Sequence, residues 1–178
     1  MAKISNRQTV LKPQDLFVLL ALLGRGGEAG GYVGMAALTG LAVSAVHASL
    51  KRAALARLVI FEERRPVLLK TQLKEFLLHG ARYAFPPVWG SLTRGVPTGY
   101  AAAPLNAIIL PSSDPVPVWA SAKGTVRGIS LAPLYPSVPE AALRDGRLYA
   151  LLALFDAIRA GQARERNEAV RLLEDDFQ

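Results

Sequence analysis

The residues whose types and spacing could do chemistry lie in one short stretch, residues 43–56. On a helix over Val43–Ala56, one face is small and polar at its start and cationic at its end, with the residues Ser44, His47, Ala48, Lys51 and Arg52. Short side chains permit close approach, Ser and His can address base edges, and Lys or Arg reaches guanine or phosphate. A helix that enters the major groove of DNA requires this profile.

The elements around this helix are predicted to hold that face outward. Its opposite side carries apolar residues spaced four and three residues apart, which indicates that this side is buried. These residues are Val46, Leu50 and Ala53. Two helices are predicted before it, from Pro13 to about Leu23 and from Tyr32 to Thr39. Gly40 follows the second one, where a tight turn between helices needs a positive φ, and Leu41 is placed to fill the corner.

The stretch Tyr32–Val59 resembles the helix-turn-helix of winged-helix transcription regulators of the multiple-antibiotic-resistance regulator type. The likeness rests on a hydrophobic–Ala pair, a Gly–Leu turn, Ser, Val, a Leu–Lys–Arg run and a final Leu–Val, and it covers about residues 13–66. It implies a winged helix-turn-helix domain whose recognition helix, residues 43–56, lies in the major groove.

Two residues depart from the pattern of that family. Ala42 stands where a serine usually caps the recognition helix. The first backbone N–H groups of that helix must therefore donate to Ser44 or to water. Arg57 replaces the glycine that usually precedes the first strand of the wing.

The wing itself is predicted to be short. Leu58–Phe61 is prone to form a strand, Glu62–Pro66 reads as a turn, and a helix is predicted from Val67 to His79. That order leaves little room for a second strand. Arg64 and Arg65 could still contact phosphate, although they also fit an ordinary charged turn.

The charge of the chain is unevenly placed. The net charge is +7; residues 1–82 hold twelve Lys or Arg and five Asp or Glu, whereas residues 83–178 hold nine of each. A basic module joined to a neutral one indicates a polyanionic partner for the first half. A solubilising surface without a partner is the alternative.

Three regions follow from these patterns: a DNA-binding domain over residues 1–82, an ordered but irregular segment over 83–139, and helices over 140–178. The middle segment holds ten of the twelve prolines, with strands predicted at Val116–Ala120 and Thr125–Leu131. The last region contains helices predicted at Glu140–Leu143, Arg147–Ala160 and Ala163–Phe177. The expected fold is therefore mainly α with minor β. The last two helices could form a dimer interface or simply pack on the first and fourth helices.

Several kinds of chemistry find little support. The chain has no cysteine and two histidines, His47 and His79, so neither a metal site nor a cofactor is expected, and no nucleophile motif indicates an enzyme. The glycine-containing basic run Arg94–Gly99 could hold an anion, but such loops are usually turns. No export signal or apolar run of membrane-spanning length is visible, so we expect a cytoplasmic protein.

The expected function is that of a dimeric, duplex-DNA-binding transcription regulator such as a repressor. We expect Lys51→Ala or Arg52→Ala to weaken DNA binding while the fold survives. The alternative is a protein–protein adaptor or antitoxin-like protein whose residues 83–178 bind a partner protein. For the first half, a plain pair of packed helices is the alternative to a DNA-binding unit.

Overall fold

The computed structural model describes residues 10–27, 31–110 and 114–177, and it is mainly α-helical with minor β structure. The helices are α1 (Pro13–Gly24), α2 (Tyr32–Thr39), α3 (Val43–Leu55), α4 (Lys70–Glu75), α5 (Ala81–Ala84), α6 (Val138–Arg144), α7 (Gly146–Ala160) and α8 (Ala163–Asp175). The strands are β1 (Val59–Glu62), β2 (Arg65–Leu68), β3 (Trp89–Pro97), β4 (Pro117–Ala120) and β5 (Val126–Leu131).

Helix α1 lies inside the molecule. Pro13 occupies its first turn, where its missing N–H costs nothing, and the Asp15 carboxylate accepts the Lys12 backbone N–H at 2.8 Å. Every residue of Leu16–Leu23 is buried. The helix packs against α2, α3 and α7, so it is covered by both the first and the last part of the chain.

Helices α2 and α3 meet at a sharp turn. Gly40 has φ +72°, a left-handed conformation that strains other residues, and its N–H donates to the Ala36 carbonyl to end α2. Leu41 is buried at the corner. The two helices are bent by 104° at this break. The sequence predicted both helices and the turn, and α3 ends within one residue of the predicted limit.

The segment after α3 forms a two-stranded hairpin, which corrects the prediction that little room is left for a second strand. Strand β1 pairs antiparallel with β2, in a register that joins Val59 to Leu68. The loop needs only two residues, because Glu63 and Arg64 have φ +46° and +68°, as tight hairpin turns require. The helix predicted from Val67 therefore begins later, at Lys70.

The helical path then continues beyond Gly80, where the sequence predicted an end. Phe76–Gly80 forms a π-helical turn that leads directly into α5. Gly80 keeps a right-handed conformation, and a Cβ on it would lie 3.0 Å from the Phe76 ring. Gly80 thus serves close packing within the helix and does not terminate it.

The proline-rich middle segment forms a small closed barrel of three strands. Strand β3 pairs antiparallel with both β4 and β5, and β4 pairs parallel with β5. Strands β4 and β5 were predicted, but the nine-residue β3 was not. Three glycines allow the closure, because a Cβ on any of them would overlap the backbone of a neighbouring strand: Gly95, Gly124 and Gly128.

A buried polar cluster ties this small barrel to α7. The Asp156 carboxylate accepts hydrogen bonds from Thr98 Oγ1 and Trp119 Nε1, both at 2.7 Å, and from Arg159 Nε at 2.8 Å. Arg159 also donates to the Ala132 carbonyl at 2.6 Å. All polar partners of this buried carboxylate are therefore supplied from within the chain.

A second contact between α7 and the barrel comes from Tyr149. Its hydroxyl donates to the Pro97 carbonyl at 2.6 Å, and its ring packs on Trp119 at 5.6 Å. Burial raises the pKa of Tyr149 to about 12, so the phenol keeps its proton and its donor role at neutral pH.

Helix α7 is buried along most of its length, as Leu148 and the run Leu151–Arg159 show. It packs against α1, α5, α6 and α8, and one hydrophobic cluster extends from α1 to α8. Of the two roles considered for the terminal helices, the packing of α7 inside the chain is the one that the structure describes. Among the described residues no single helix is long and apolar enough to cross a bilayer. Helices α2 and α3 taken together, with the bend between them, would be long and apolar enough.

Candidate nucleic-acid interface

Helix α3 presents its polar stripe away from the core. Ser44, His47 and Lys51 are exposed, and Ala48 beside them is half-buried. The opposite side is buried as predicted, with Ser49 added to the apolar residues. The small and polar beginning of the stripe and its cationic end therefore remain accessible to a ligand.

The orientation of His47 is set by an aromatic neighbour. The Tyr32 ring, at the start of α2, meets the imidazole edge-on with centroids 5.4 Å apart. Tyr32 is half-buried while His47 is exposed. Such an edge contact limits the rotamers of His47 without covering its ring nitrogens.

Arg52 makes a contact that the sequence did not predict. Its guanidinium forms a two-pronged ion pair with Asp15, with Nε–Oδ2 at 2.8 Å and Nη2–Oδ1 at 2.6 Å. The Asp15 side chain is fully buried and that of Arg52 is 19% exposed. The hydrogen bonds to Asp15 raise the pKa of Arg52 above its ordinary value, against the effect of burial. Arg52 therefore joins α3 to α1 through its Nε and Nη2 atoms.

A second polar contact joins the same two helices one turn earlier. Gln14 Nε2 donates to Ser49 Oγ at 2.9 Å, and Ser49 Oγ also accepts a longer bond of 3.3 Å from Arg52. Sequence reasoning missed Gln14, Asp15 and Ser49 as a set. The signal was there: a carboxylate in the first turn of an otherwise apolar helix needs a partner when it is buried.

The first turn of α3 is open at its amino end. Ala42 occupies the cap position and has no side-chain acceptor, and no side chain caps the helix. Ser44 does not take over, because its side chain is exposed and makes no cap hydrogen bond. Amides at the start of a helix attract anions, so this end suits water or a phosphate oxygen.

The hairpin adds cations beside α3. Arg57, Arg64 and Arg65 are all exposed. Arg57 has φ +57°, the conformation for which glycine is favoured, which accounts for the glycine expected at that point. Arg64 lies in the two-residue turn, and Arg65 begins β2 opposite Glu62. Sequence reasoning treated Arg57 only as a departure, although its exposure makes it a further cationic candidate.

Of the seven residues predicted to contact DNA, α3 therefore displays Ser44, His47, Ala48 and Lys51 together, and the hairpin displays Arg64 and Arg65. Within residues 10–27, 31–110 and 114–177, no group of three or more His, Asp or Glu side chains could share a metal ion. Comparisons with protein-family models, curated protein sequences and solved structures give no match to this chain.

Proposed function

We propose that this chain is a winged helix-turn-helix regulator that binds duplex DNA through α3 and the β1–β2 hairpin. The observation that carries the proposal is the exposed stripe of Ser44, His47 and Lys51 on a helix set at 104° to α2. Helix pairs at about 90–120° joined by a short turn containing glycine are the arrangement that places a second helix in the major groove.

The charge around the stripe supports a phosphate-rich ligand. Lys51 is exposed at the end of the stripe, and Arg57, Arg64 and Arg65 are exposed on the segment that follows. The Lys51 ammonium and the open first turn of α3 stand at two ends of the same face. Phosphate contacts at both ends would fix the register of α3, while Ser44 and His47 read base edges.

We also propose that the regulator binds as a dimer, because operators with two-fold symmetry match dimers of such domains. Because most of α7 is buried inside the chain, we expect the contact to lie elsewhere. Sedimentation of the protein alone and with a duplex carrying two half-sites would measure this directly. One protomer per duplex under saturating conditions would contradict it.

The test of DNA binding is a titration with two duplexes, one from upstream of the chain's own gene and one unrelated, each at low and near-physiological salt. We expect tight binding to the first that persists in salt, and weak, salt-sensitive binding to the second. Lys51→Ala should weaken binding to the first duplex by about tenfold. Lys123→Ala removes the same charge from a lysine paired with Glu140 in the second half, and it should change little.

Two results would contradict the proposal. Equal loss of binding to both duplexes in salt would leave only a non-specific basic surface. A folded protein that binds neither duplex, at low salt and as wild type, would favour the adaptor function instead.

A further inference from the structure

Strands β3 and β5 place two arginines side by side on the outside of the small barrel. Arg94 and Arg127 are direct partners in the antiparallel register, and both are exposed. Their neighbours Thr93 and Gly128 lie on the opposite face, where Gly128 contacts the Val116 backbone inside the barrel. Side chains directly opposite in such a ladder are neighbours, and two like charges there destabilise the pair.

No carboxylate among the described residues relieves this repulsion. In the part of the chain that the structure describes, neither guanidinium has a carboxylate within ion-pairing distance. Most other charged side chains of the second half are paired, as Lys123 is with Glu140 and Arg171 with Glu168. Two neighbouring guanidiniums without a carboxylate partner are suited to bind an anion. Phosphate fits them well, because each guanidinium can donate two parallel hydrogen bonds to its oxygens.

The same face continues into an apolar and aromatic surface. The next pair is Leu92, which is exposed, and Ile129, which is half-buried. Beyond a bulge, Trp89 is exposed, whereas its partner Leu131 is buried in the core. The bulge turns Trp89 onto this face, where its side chain is 48% exposed. Leu131 lies four residue steps after Arg127 on β5, so its partner Trp89 lies roughly 13 Å from the arginine pair along the strands.

A recess opens beside Trp89. It has a volume of about 260 Å³, and its lining includes Tyr100, Ile129 and Glu165. Drug-sized ligands occupy pockets of roughly 300–1,000 Å³, so this recess suits one flat ring system. The lining also includes the carboxylates of Asp114 and Asp156 beside that of Glu165, and this acidic lining repels phosphate, which leaves the phosphates of a bound strand to the arginine pair.

We propose that this face of β3 and β5 binds a single-stranded segment of nucleic acid. The phosphates lie on Arg94 and Arg127, and a base stacks on Trp89 at the mouth of the recess. A positively charged track next to an exposed aromatic ring is the arrangement by which proteins hold single strands, because every base has a face that stacks. This inference is independent of duplex binding by α3.

The test uses the full chain and a labelled 12-nucleotide single strand, as DNA and as RNA of the same sequence, with fluorescence anisotropy at low salt. We expect binding, and the two probes show which sugar is preferred. The double variant Arg94→Gln/Arg127→Gln should weaken it by roughly tenfold or more. The variant should not lower the melting temperature, because it removes a repulsion. Arg171→Gln, on α8, removes one positive charge from an exposed position and is the matched control for each single variant, Arg94→Gln and Arg127→Gln; it should leave the affinity unchanged.

Tryptophan fluorescence gives a second readout that a structural role would not move. The chain has two tryptophans, and Trp119 is buried. Quenching by the oligonucleotide should therefore come from Trp89 and disappear in Trp89→Phe. Trp89→Ala should also weaken binding by roughly fivefold or more.

Three results would overturn the inference. One is an absence of binding by the wild-type chain, which would leave this face to an acidic protein partner. Another is an equal effect of the Arg171 control and the Arg94/Arg127 variant. The third is loss of single-strand binding in Lys51→Ala, because the contact would then run through α3. If Lys51→Ala abolishes duplex binding alone, the two surfaces are separate.

Discussion

Lys51 and Arg52 are neighbouring cations on α3, but only Arg52 forms an ion pair with the buried Asp15. Lys51 is exposed, whereas Arg52 neutralises a carboxylate that no water reaches. A buried charge that loses its partner is much more costly than an exposed charge that is removed. The two alanine substitutions therefore differ in kind, and only Lys51→Ala reports on ligand binding.

Arg52→Ala is expected to destabilise the fold by about 3 kcal/mol or more, because it leaves Asp15 charged and unpaired. Lys51→Ala should change the free energy of unfolding by less than about 0.5 kcal/mol. Urea denaturation followed by circular dichroism measures both. Equal stabilities for the two variants would show that the ion pair contributes nothing.

The double variant Asp15→Leu/Arg52→Met tests whether Arg52 acts only through Asp15. Replacing both charges by apolar side chains of similar size is often neutral for stability. If Arg52 only positions α3, the double variant binds duplex DNA as the wild type does. A folded double variant that has lost DNA affinity would show that Arg52 itself contacts DNA.

Arg57 combines an exposed charge with a strained backbone. A non-glycine residue at positive φ costs roughly 1 kcal/mol, so Arg57→Gly should raise the free energy of unfolding by about that amount. Arg57→Ala keeps the strain and removes the charge, so it should not stabilise the protein. If the guanidinium binds phosphate, both variants lose duplex affinity to the same extent. Unequal losses would show that the backbone, and not the charge, controls binding.

Among the elements, the closed set of β3, β4 and β5 depends on glycine. A Cβ on Gly95 would overlap the carbonyl oxygen of Trp119 on the paired strand. Gly95→Ala is therefore expected to cost about 3 kcal/mol, at the upper end for overpacking. Gly146→Ala is the control, because nothing lies within 4 Å of a Cβ there. Thermal unfolding of both variants measures the difference, and a Gly95→Ala protein as stable as the wild type would mean that the strands can separate.

The elements also show which structure the sequence could predict. Helices with regular apolar spacing and clear ends were predicted within a few residues, as for α2, α7 and the turn at Gly40. Strand β3 was missed because glycine and proline replace the alternation that marks a strand, and its pairing with β4 and β5 is non-local. Strand β2 was missed because Glu63 and Arg64 adopt conformations normally left to Asn and Gly. The α3 face was predicted correctly in position, but burial of Asp15 decided the role of Arg52.

At the scale of the whole molecule, the boundary predicted at residue 82 runs through one core. Helix α1 belongs to the first region by sequence, yet α7 from the last region covers one side of it. The buried cluster around Asp156 joins α7 in turn to the barrel. The candidate DNA-binding face thus rests on residues far along the chain.

We therefore expect the chain to unfold as one unit. Far-ultraviolet circular dichroism follows the helices, and in a Trp89→Phe variant the fluorescence of the buried Trp119 follows the contact between barrel and α7. Both signals should change at the same denaturant concentration. A fragment of residues 1–84 would expose the side of α1 that α7 covers, and it should bind hydrophobic dyes without a sharp transition. A fragment that melts cooperatively and binds duplex DNA would instead establish residues 1–82 as an autonomous domain, with the rest of the chain as an addition.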